Sequence, residues 1–242
     1  MEFKNKRVII TGAGQGIGRC IVEKLSQHEA IIIALSKTQA NLDSLKQAFP
    51  NVQTVQVDLQ NWARTRAAVS KVGPVDVLIN NAAVARFDRF LDIDEENLID
   101  SIFDVNIKAV INISQVVSKT MIDHKIQGSI VNVSSIAGKT ALEGHTIYSA
   151  SKAALDSITR TMALELGPYN IRVNSVQPTV VMTQMGRTGW SDPAKAGPML
   201  AKTPLGRFAE PEEVLEVILF LAGSKSSMVH GVHIPVDGGR LI

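Results

Sequence analysis

Short apolar, β-branched runs alternate along this chain with stretches whose apolar residues recur every three or four positions. The first run, Arg7 to Thr11, reads as a buried strand, and the stretch from about Ile17 to Gln27 as an amphipathic helix. Ala30 to Leu35 is a second strand, followed by a helix over Asn41 to Phe49 with Pro50 just beyond its end. Thr54 to Val57 predicts a third strand ending at Asp58, and Trp62 to Val72 a helix stopped by Gly73-Pro74. A fourth strand, Val75 to Ile79, runs into Asn80-Asn81-Ala82-Ala83, and a long helical region follows from about Glu95 to His124. Beyond Gly128 come a fifth strand at Ser129 to Val133, a helix from Thr146 to about Leu166 and a sixth strand at Ile171 to Val176. After an irregular stretch, a helix at Glu212 to Leu221 and a strand at Val232 to Val236 complete the pattern. Seven strands separated by helices, with runs apolar enough to be buried on both faces, predict one α/β domain: a doubly wound, seven-stranded parallel sheet flanked by helices. No repeat or linker interrupts residues 1–242.

Composition narrows the partners. With 242 residues, 45% of them hydrophobic, and a formal charge of +2, the chain has the balance of a globular protein and no basic cluster for nucleic acid. No run approaches the ~20 apolar residues of a membrane span, and Met1 to Lys6 carries no apolar stretch of signal-peptide length. The single cysteine, Cys20, falls on the first helix, reads as a packed side chain and suits a reducing compartment, so a cytoplasmic location is expected.

In a doubly wound sheet, ligands bind beyond the carboxyl ends of the strands. The polar residues of interest fall there: Gly12 after strand one, Asp58 after strand three, Asn80 and Asn81 after strand four, Ser134 and Ser135 after strand five, and Thr179 after strand six. The strand at Arg7–Thr11 leads into Gly12-Ala13-Gly14-Gln15-Gly16-Ile17-Gly18 and then a helix, the context of a Rossmann dinucleotide site. Its glycines let backbone N–H groups approach a pyrophosphate at the helix N-terminus. Where NAD-binding chains place an acid at the end of strand two, this one has Ser36-Lys37-Thr38. Lys37 attracts a 2′-phosphate, Ser36 and Thr38 donate hydrogen bonds to it, and Arg19 can add a second charge, so the expected cofactor is NADP(H). Asp58 has two readings, acceptor of the adenine amino group or cap of the following helix.

Tyr148-Ser149-Ala150-Ser151-Lys152 places a phenol and an ammonium four residues apart, on one face of a helix. A positive charge beside a tyrosine, whose free pKa is near ~10, should lower that pKa and make a proton donor and acceptor usable at neutral pH. His230 and His233 share a spacing that invites a metal, but no cysteine or acid completes a ligand set, so no metal is expected.

Thr11-Gly12-x-x-x-Gly16-x-Gly18, Asn80-Asn81-Ala82, Asn106, the serine pair before Ile136 and Tyr148-x-x-x-Lys152 together resemble the short-chain dehydrogenase/reductase family, over essentially the whole chain. The resemblance implies hydride transfer to a carbonyl carbon with Tyr148 as general acid. Ser135, thirteen residues before the tyrosine, is selected over Ser134 to hold the carbonyl oxygen. Lys152 is implied to bind the nicotinamide ribose, and Asn106 to anchor a water relaying protons to Lys152; otherwise Asn106 is a helix-interior polar residue facing a loop. Gln15, Ile17, Leu59, Asn81, Ala82 and Ala83 are assigned to the cofactor, with Pro178, Val181 and Thr183 beyond the sixth strand. Ala83 and Thr179 depart from the glycines common in the family; Thr179 can bond the nicotinamide carboxamide.

The segments Ser36–Ala40, Val72–Asp76, Pro178–Thr183, Trp190–Pro193 and Pro204–Phe208 resemble a tetrameric branch of the family that reduces small α-dicarbonyls and pentuloses with NADPH. His145 matches a substrate-contacting histidine of that branch, or is simply solvated. Ile136 is apolar where the branch carries a polar residue, which favours dicarbonyls over a sugar. Residues from about 182 to 205 contain Gly186, Gly189, Pro193, Gly197 and Pro198, read as poor helix material and form a candidate mobile lid over the substrate. Trp190 within it either contacts substrate or packs. Two rival functions share the scaffold: a 3-oxoacyl thioester reductase and a non-catalytic NADPH-binding or surface protein.

Overall fold

The computed structural model describes residues 2–94 and 96–242, so the expected helix start at Glu95 lies outside the described residues. The strands are β1 (Arg7–Thr11), β2 (Ile31–Ser36), β3 (Gln53–Gln56), β4 (Val77–Asn80), β5 (Ser129–Val133), β6 (Arg172–Pro178) and β7 (His233–Val236). They form one seven-stranded sheet in the order β3-β2-β1-β4-β5-β6-β7, with every pairing parallel. The expected sheet is therefore present; β1 and β5 have the expected bounds, and the other five strands differ by one or two residues at one or both ends.

Successive residues of a strand face opposite sides, and here both sides are apolar. Val8 and Ile10 point into one core with Ile21, Leu25, Val214 and Ile218, whereas Ile9 points into a second with Leu78, Val117, Met121 and Val173. Helices α1 (Gly16–Gln27) and α2 (Gln39–Ala48) contribute to the first core. Helix α3 (Trp62–Ser70) contributes to the second. Cys20 packs against the first core, the ordinary role expected of it.

The expected single helix from about residue 95 to His124 is instead α4 (Glu96–Phe103), a π-helical turn at Asp104–Lys108 and α5 (Ala109–Asp123). A π turn inserts a residue into the helical ladder and is frequent at functional sites; this one contains Asn106. Helix α6 (Thr146–Leu166) carries Tyr148 and Lys152 on its first two turns.

The 182–205 region also differs from expectation, because it forms α7 (Gln184–Gly189) and α8 (Pro193–Leu200). Local capping outweighs its glycines and prolines. The Thr183 hydroxyl accepts from the Gly186 N–H, the Asp192 carboxylate accepts from the Ala194 N–H, and Pro193 occupies the first turn, where no N–H is needed. Helix α9 (Pro211–Ala222) follows and packs on α1. No helix among the described residues is long and apolar enough to cross a membrane.

Candidate active site

The strand order reverses between β1 and β4, which opens a crevice at their carboxyl ends. Asn81 closes its floor. Its Nδ2 donates to the Thr11 and Gly12 carbonyls at 2.9 and 3.2 Å, and the Asn81 and Ala82 N–H groups donate to Thr11 Oγ1 at 3.0 Å. Asn80 is turned away. It is buried and donates to Ser114 and Asn132, so it braces the sheet instead of facing the edge.

The glycine turn is packed as tightly as a pyrophosphate loop requires. Gly12 has φ +65°, and a Cβ at Gly18 would collide with the Gly12 carbonyl. Ile17 turns its side chain into the core, leaving only its backbone for a ligand.

Beside this turn lies a cleft of about 290 Å³ walled by Gly12, Gln15, Ser36, Lys37, Thr38 and Asp58; Leu59, Asn81, Ala82 and Ala83 also border it. Lys37 Nζ stands 2.8 Å from Asp58 Oδ2. Burial works to raise the Asp58 carboxyl, but hydrogen bonds from Lys37 and the Gln60 N–H, with the lysine charge, hold it below the usual carboxylate range. The capping alternative for Asp58 is excluded, because Asn61 caps α3 by accepting from the Arg64 N–H. Arg19 is not in the wall of this cleft; its guanidinium lies 3.4 Å from the Ser44 hydroxyl on α2.

A second cavity of about 450 Å³ shares Gln15 with this cleft and includes Gly16, and it shares Gly189 with a third cavity of about 730 Å³. The three adjoin one another through these shared residues along the sheet edge. Thr183 stands beside Gly16, its methyl 3.6 Å from where a Gly16 Cβ would lie. Thr179 Oγ1 is buried without a hydrogen-bond partner beside Val181 in the largest cavity, leaving a polar atom there to be satisfied. Tight glycines, adjoining cavities and this orphan hydroxyl fit a nicotinamide dinucleotide.

Ser135 and Tyr148 line the 730 Å³ cavity, with Lys152 buried behind them. Ser135 follows β5, its hydroxyl accepting from the Ala137 N–H at 3.1 Å and lying 3.4 Å from the Pro178 carbonyl. It is also hydrogen-bonded to the Tyr148 phenol. Ser134 Oγ is buried and directed at the Lys152 carbonyl, so Ser135 is the serine facing the cavity.

Lys152 is 2% exposed; its Nζ donates to the Val133 carbonyl at 2.8 Å and lies 5.5 Å from the Tyr148 ring centre. Burial pushes the phenol up to about 12, against a smaller lowering by Ser135. Burial also brings Lys152 down to about 8, opposed by the charge of Asp156. The expected lowering of Tyr148 by Lys152 is therefore not found in this structure. Desolvation of the phenolate outweighs an ammonium directed at a carbonyl. A phenol in this state keeps its proton at neutral pH, the form a general acid must have.

Asn106 faces the loop after β4. It accepts from the Val84 N–H at 2.8 Å and donates to the Val84 carbonyl and Ser151 Oγ, both at 3.0 Å. Its bonds fix that loop to α6 beside Lys152 and do not reach the lysine. His145 packs against Phe87 with ring centres 4.2 Å apart and planes tilted by 33°, and Phe87 meets the Tyr148 ring edge-on at 5.9 Å. Trp190 lines the cavity and packs edge-on against Phe208 at 5.4 Å. Ile136 is buried in the cavity wall.

The short chain dehydrogenase family model matches residues 6–194. This chain belongs to the short-chain dehydrogenase family. It is similar to an L-xylulose reductase of Mesocricetus auratus, 54% identical over all of this chain and 99% of the relative. It is also 45% identical to carbonyl reductase [NADPH] 2 of Sus scrofa, over all of this chain and 98% of that protein. A 4-hydroxyisoleucine dehydrogenase structure complexed with NADH superposes with a TM-score of 0.93 at 29% identity, covering 98% of this chain and 99% of that one.

Membership of this family makes the chain an oxidoreductase and its cofactor a nicotinamide dinucleotide. Sequence reasoning missed Phe87, which lines the cavity and packs on Tyr148, although an aromatic a few residues beyond a strand end at the binding edge was a usable signal. It also missed Arg240, which lines the same cavity from the C-terminal turn and has no local pattern to mark it.

His230 and His233 are engaged separately. His230 Nδ1 accepts from the Val173 N–H and Nε2 lies 2.8 Å from the Ala163 carbonyl, while His233 Nε2 faces Arg160 and its Nδ1 faces Ser175.

Proposed function

We propose that this enzyme uses NADPH to reduce small carbonyl compounds, namely α-dicarbonyls such as diacetyl and L-xylulose to xylitol. The observation that carries this reading is the convergence of Ser135 and a protonated Tyr148 at the base of a cavity that joins the dinucleotide groove. When bound, the reduced nicotinamide supplies the hydride. The Ser135 hydroxyl orients the carbonyl oxygen, and Tyr148 Oη delivers the proton to it as charge develops. Lys152, held by the Val133 carbonyl, keeps a positive charge near the phenol and the nicotinamide ribose. Asn106 is a positioning residue for the Val84 loop and α6. His145 and Trp190 form opposite parts of the substrate wall, with Thr179 Oγ1 available to the carboxamide.

The choice of NADPH rests on Ser36, Lys37 and Thr38, which place a cation and two donors at the adenosine end of the groove with no carboxylate at the end of β2. The naming of one relative as an NADPH carbonyl reductase supports it. In this reading residues 1–242 act as one cytoplasmic NADP(H)-binding domain with 182–205 as the substrate lid. The working form in this reading is a homotetramer, as the resemblance to the tetrameric branch of the family implies.

The test follows absorbance at 340 nm with NADPH or NADH against diacetyl, L-xylulose and an acetoacetyl thioester. Faster oxidation of NADPH with the first two supports the reading. Preference for the thioester makes the chain a 3-oxoacyl reductase, and inactivity across all carbonyls makes it a binding protein.

A further inference from the structure

We propose that the cavity above Tyr148 takes carbonyl compounds bearing a carboxylate at the end remote from the reacting carbonyl, with Arg240 and Lys202 as its anchors. The proposal rests on the carbonyl-reductase reading and adds a substrate class to it. Four cations line this cavity: Arg89, Lys195, Lys202 and Arg240. Among the described residues Glu143 is the one acid in its wall, and Arg89 pairs with it at 2.7 Å. Lys195 Nζ is stationed 5.0 Å above the Trp190 ring. The remaining lining is largely apolar; Arg240 is half-buried there, whereas Arg89, Lys195 and Lys202 are exposed, so their field is screened by salt.

Arg240 is the decisive residue. Its Nε is buried with no hydrogen-bond partner, and its guanidinium has no ion-pair partner among the described residues. A buried guanidinium N–H without an acceptor is costly, and a carboxylate offers two acceptor oxygens to the planar fork.

The backbone that presents Arg240 is firmly built. Asp237 Oδ1 accepts from the Gly239 N–H and Oδ2 from the Leu241 N–H, both at 3.0 Å, and the Arg240 N–H donates to the Asp237 carbonyl at 3.2 Å. Gly238 and Gly239 supply the left-handed φ values of 63° and 86° that this turn needs. The Leu205 N–H donates to the Gly238 carbonyl at 3.1 Å, tying the turn to the end of the lid that carries Lys202. Ser135 and Tyr148 fix the reacting carbonyl at one end, and a volume of about 730 Å³ leaves room for a chain that extends toward Arg240.

The experiment compares 4-oxopentanoate with 4-oxopentanamide, which match in size and differ in charge, with diacetyl as the neutral reference. Wild-type kcat/KM should favour the acid by about tenfold or more, the scale of charge-assisted hydrogen bonds. The acid-to-amide ratio should fall toward one in Arg240→Gln, recover in part in Arg240→Lys, and shrink in all active forms as salt rises. Because the readout is a ratio within each variant, a general loss of activity does not mimic the effect. Calorimetric binding of the same pair to the NADP⁺-loaded protein reads the preference without turnover. An acid that is no better than the amide, or a preference that survives Arg240→Gln, overturns the proposal. If diacetyl is reduced in that case, the reductase reading stands. If nothing is reduced yet the acid binds selectively through Arg240, the reductase reading fails and the anion site remains.

Discussion

At the residue scale, the site depends on which proton each buried group holds. Tyr148 is a neutral phenol pushed up to about 12, so Tyr148→Phe keeps the ring while deleting the transferable proton. Turnover is expected to fall by about 10²-fold or more, the usual scale for a general acid, with NADPH affinity preserved; near-normal kcat would remove Tyr148 from the mechanism. Lys152 stands at about 8 because burial depresses it and Asp156 opposes that depression. Asp156 accepts from Gln177 Nε2 at 2.6 Å and lies 3.5 Å from His233 Nδ1, inside a buried network. His233 is itself lowered by burial and by the charges of Arg160 and Lys139 against the pull of Asp156, and stays neutral above its depressed pKa. In Asp156→Asn the ammonium loses its counter-charge, so Lys152 deprotonates at lower pH. The alkaline limb of kcat/KM for NADPH should move to lower pH than in the wild type; an unmoved limb would exclude control by Lys152. The Tyr148–Lys152 spacing was legible in the sequence because helical geometry fixes it, whereas Ser135 was chosen over Ser134 by the family resemblance, since both serines follow the same strand. The direction of the tyrosine shift was not legible, because it depends on how completely the fold dries the pair, a property no local pattern carries.

Elements show the same division between local and tertiary causes. Strand, glycine turn and helix were readable at Arg7–Gln27 because each glycine has a steric reason to be there. At Gly18 that reason is strict, since a Cβ would meet the Gly12 carbonyl and, at 2.6 Å, Asn81 Nδ2. Gly18→Ala should therefore lower unfolding stability by ~1–3 kcal/mol, the scale of overpacking. It should also weaken NADPH binding by displacing the turn; denaturant titration and cofactor fluorescence measure both, and a fully stable variant with unchanged affinity would contradict the tight-turn argument. The π turn at Asn106 was not legible, because its i→i+5 geometry is set by the bonds Asn106 makes to Val84 and Ser151, far away in sequence. The helices of the 182–205 region were misread for the opposite reason. Counting glycines and prolines hid the caps at Thr183 and Asp192, both plainly visible as residue types.

For the whole molecule, the strand order converts residues scattered from Gly12 to Arg240 into one groove, and that groove makes a thermodynamic prediction. A ligand that binds only the folded chain stabilises it by about 2.7 kcal/mol at a hundred times its Kd, or about 5–10 °C in Tm for a chain of this size. NADPH should give such a rise and NADH a smaller one at equal concentration, because only NADPH presents a 2′-phosphate to Lys37. The Lys37–Asp58 pair, at 2.8 Å, makes the experiment sharper. Lys37 is 67% exposed and already balanced by a carboxylate, so it exchanges a well-solvated partner for the phosphate, and its contribution is modest and salt-dependent. Lys37→Asp places two carboxylates side by side at the adenosine end, repelling the phosphate while offering an acceptor to a ribose hydroxyl. The order of the two Tm shifts should then reverse, with NADH the better stabiliser. A wild type equally stabilised by both cofactors, or a variant that still prefers NADPH, would show that the charge at the end of β2 does not set the preference, and the assignment would pass to groups nearer the pyrophosphate turn.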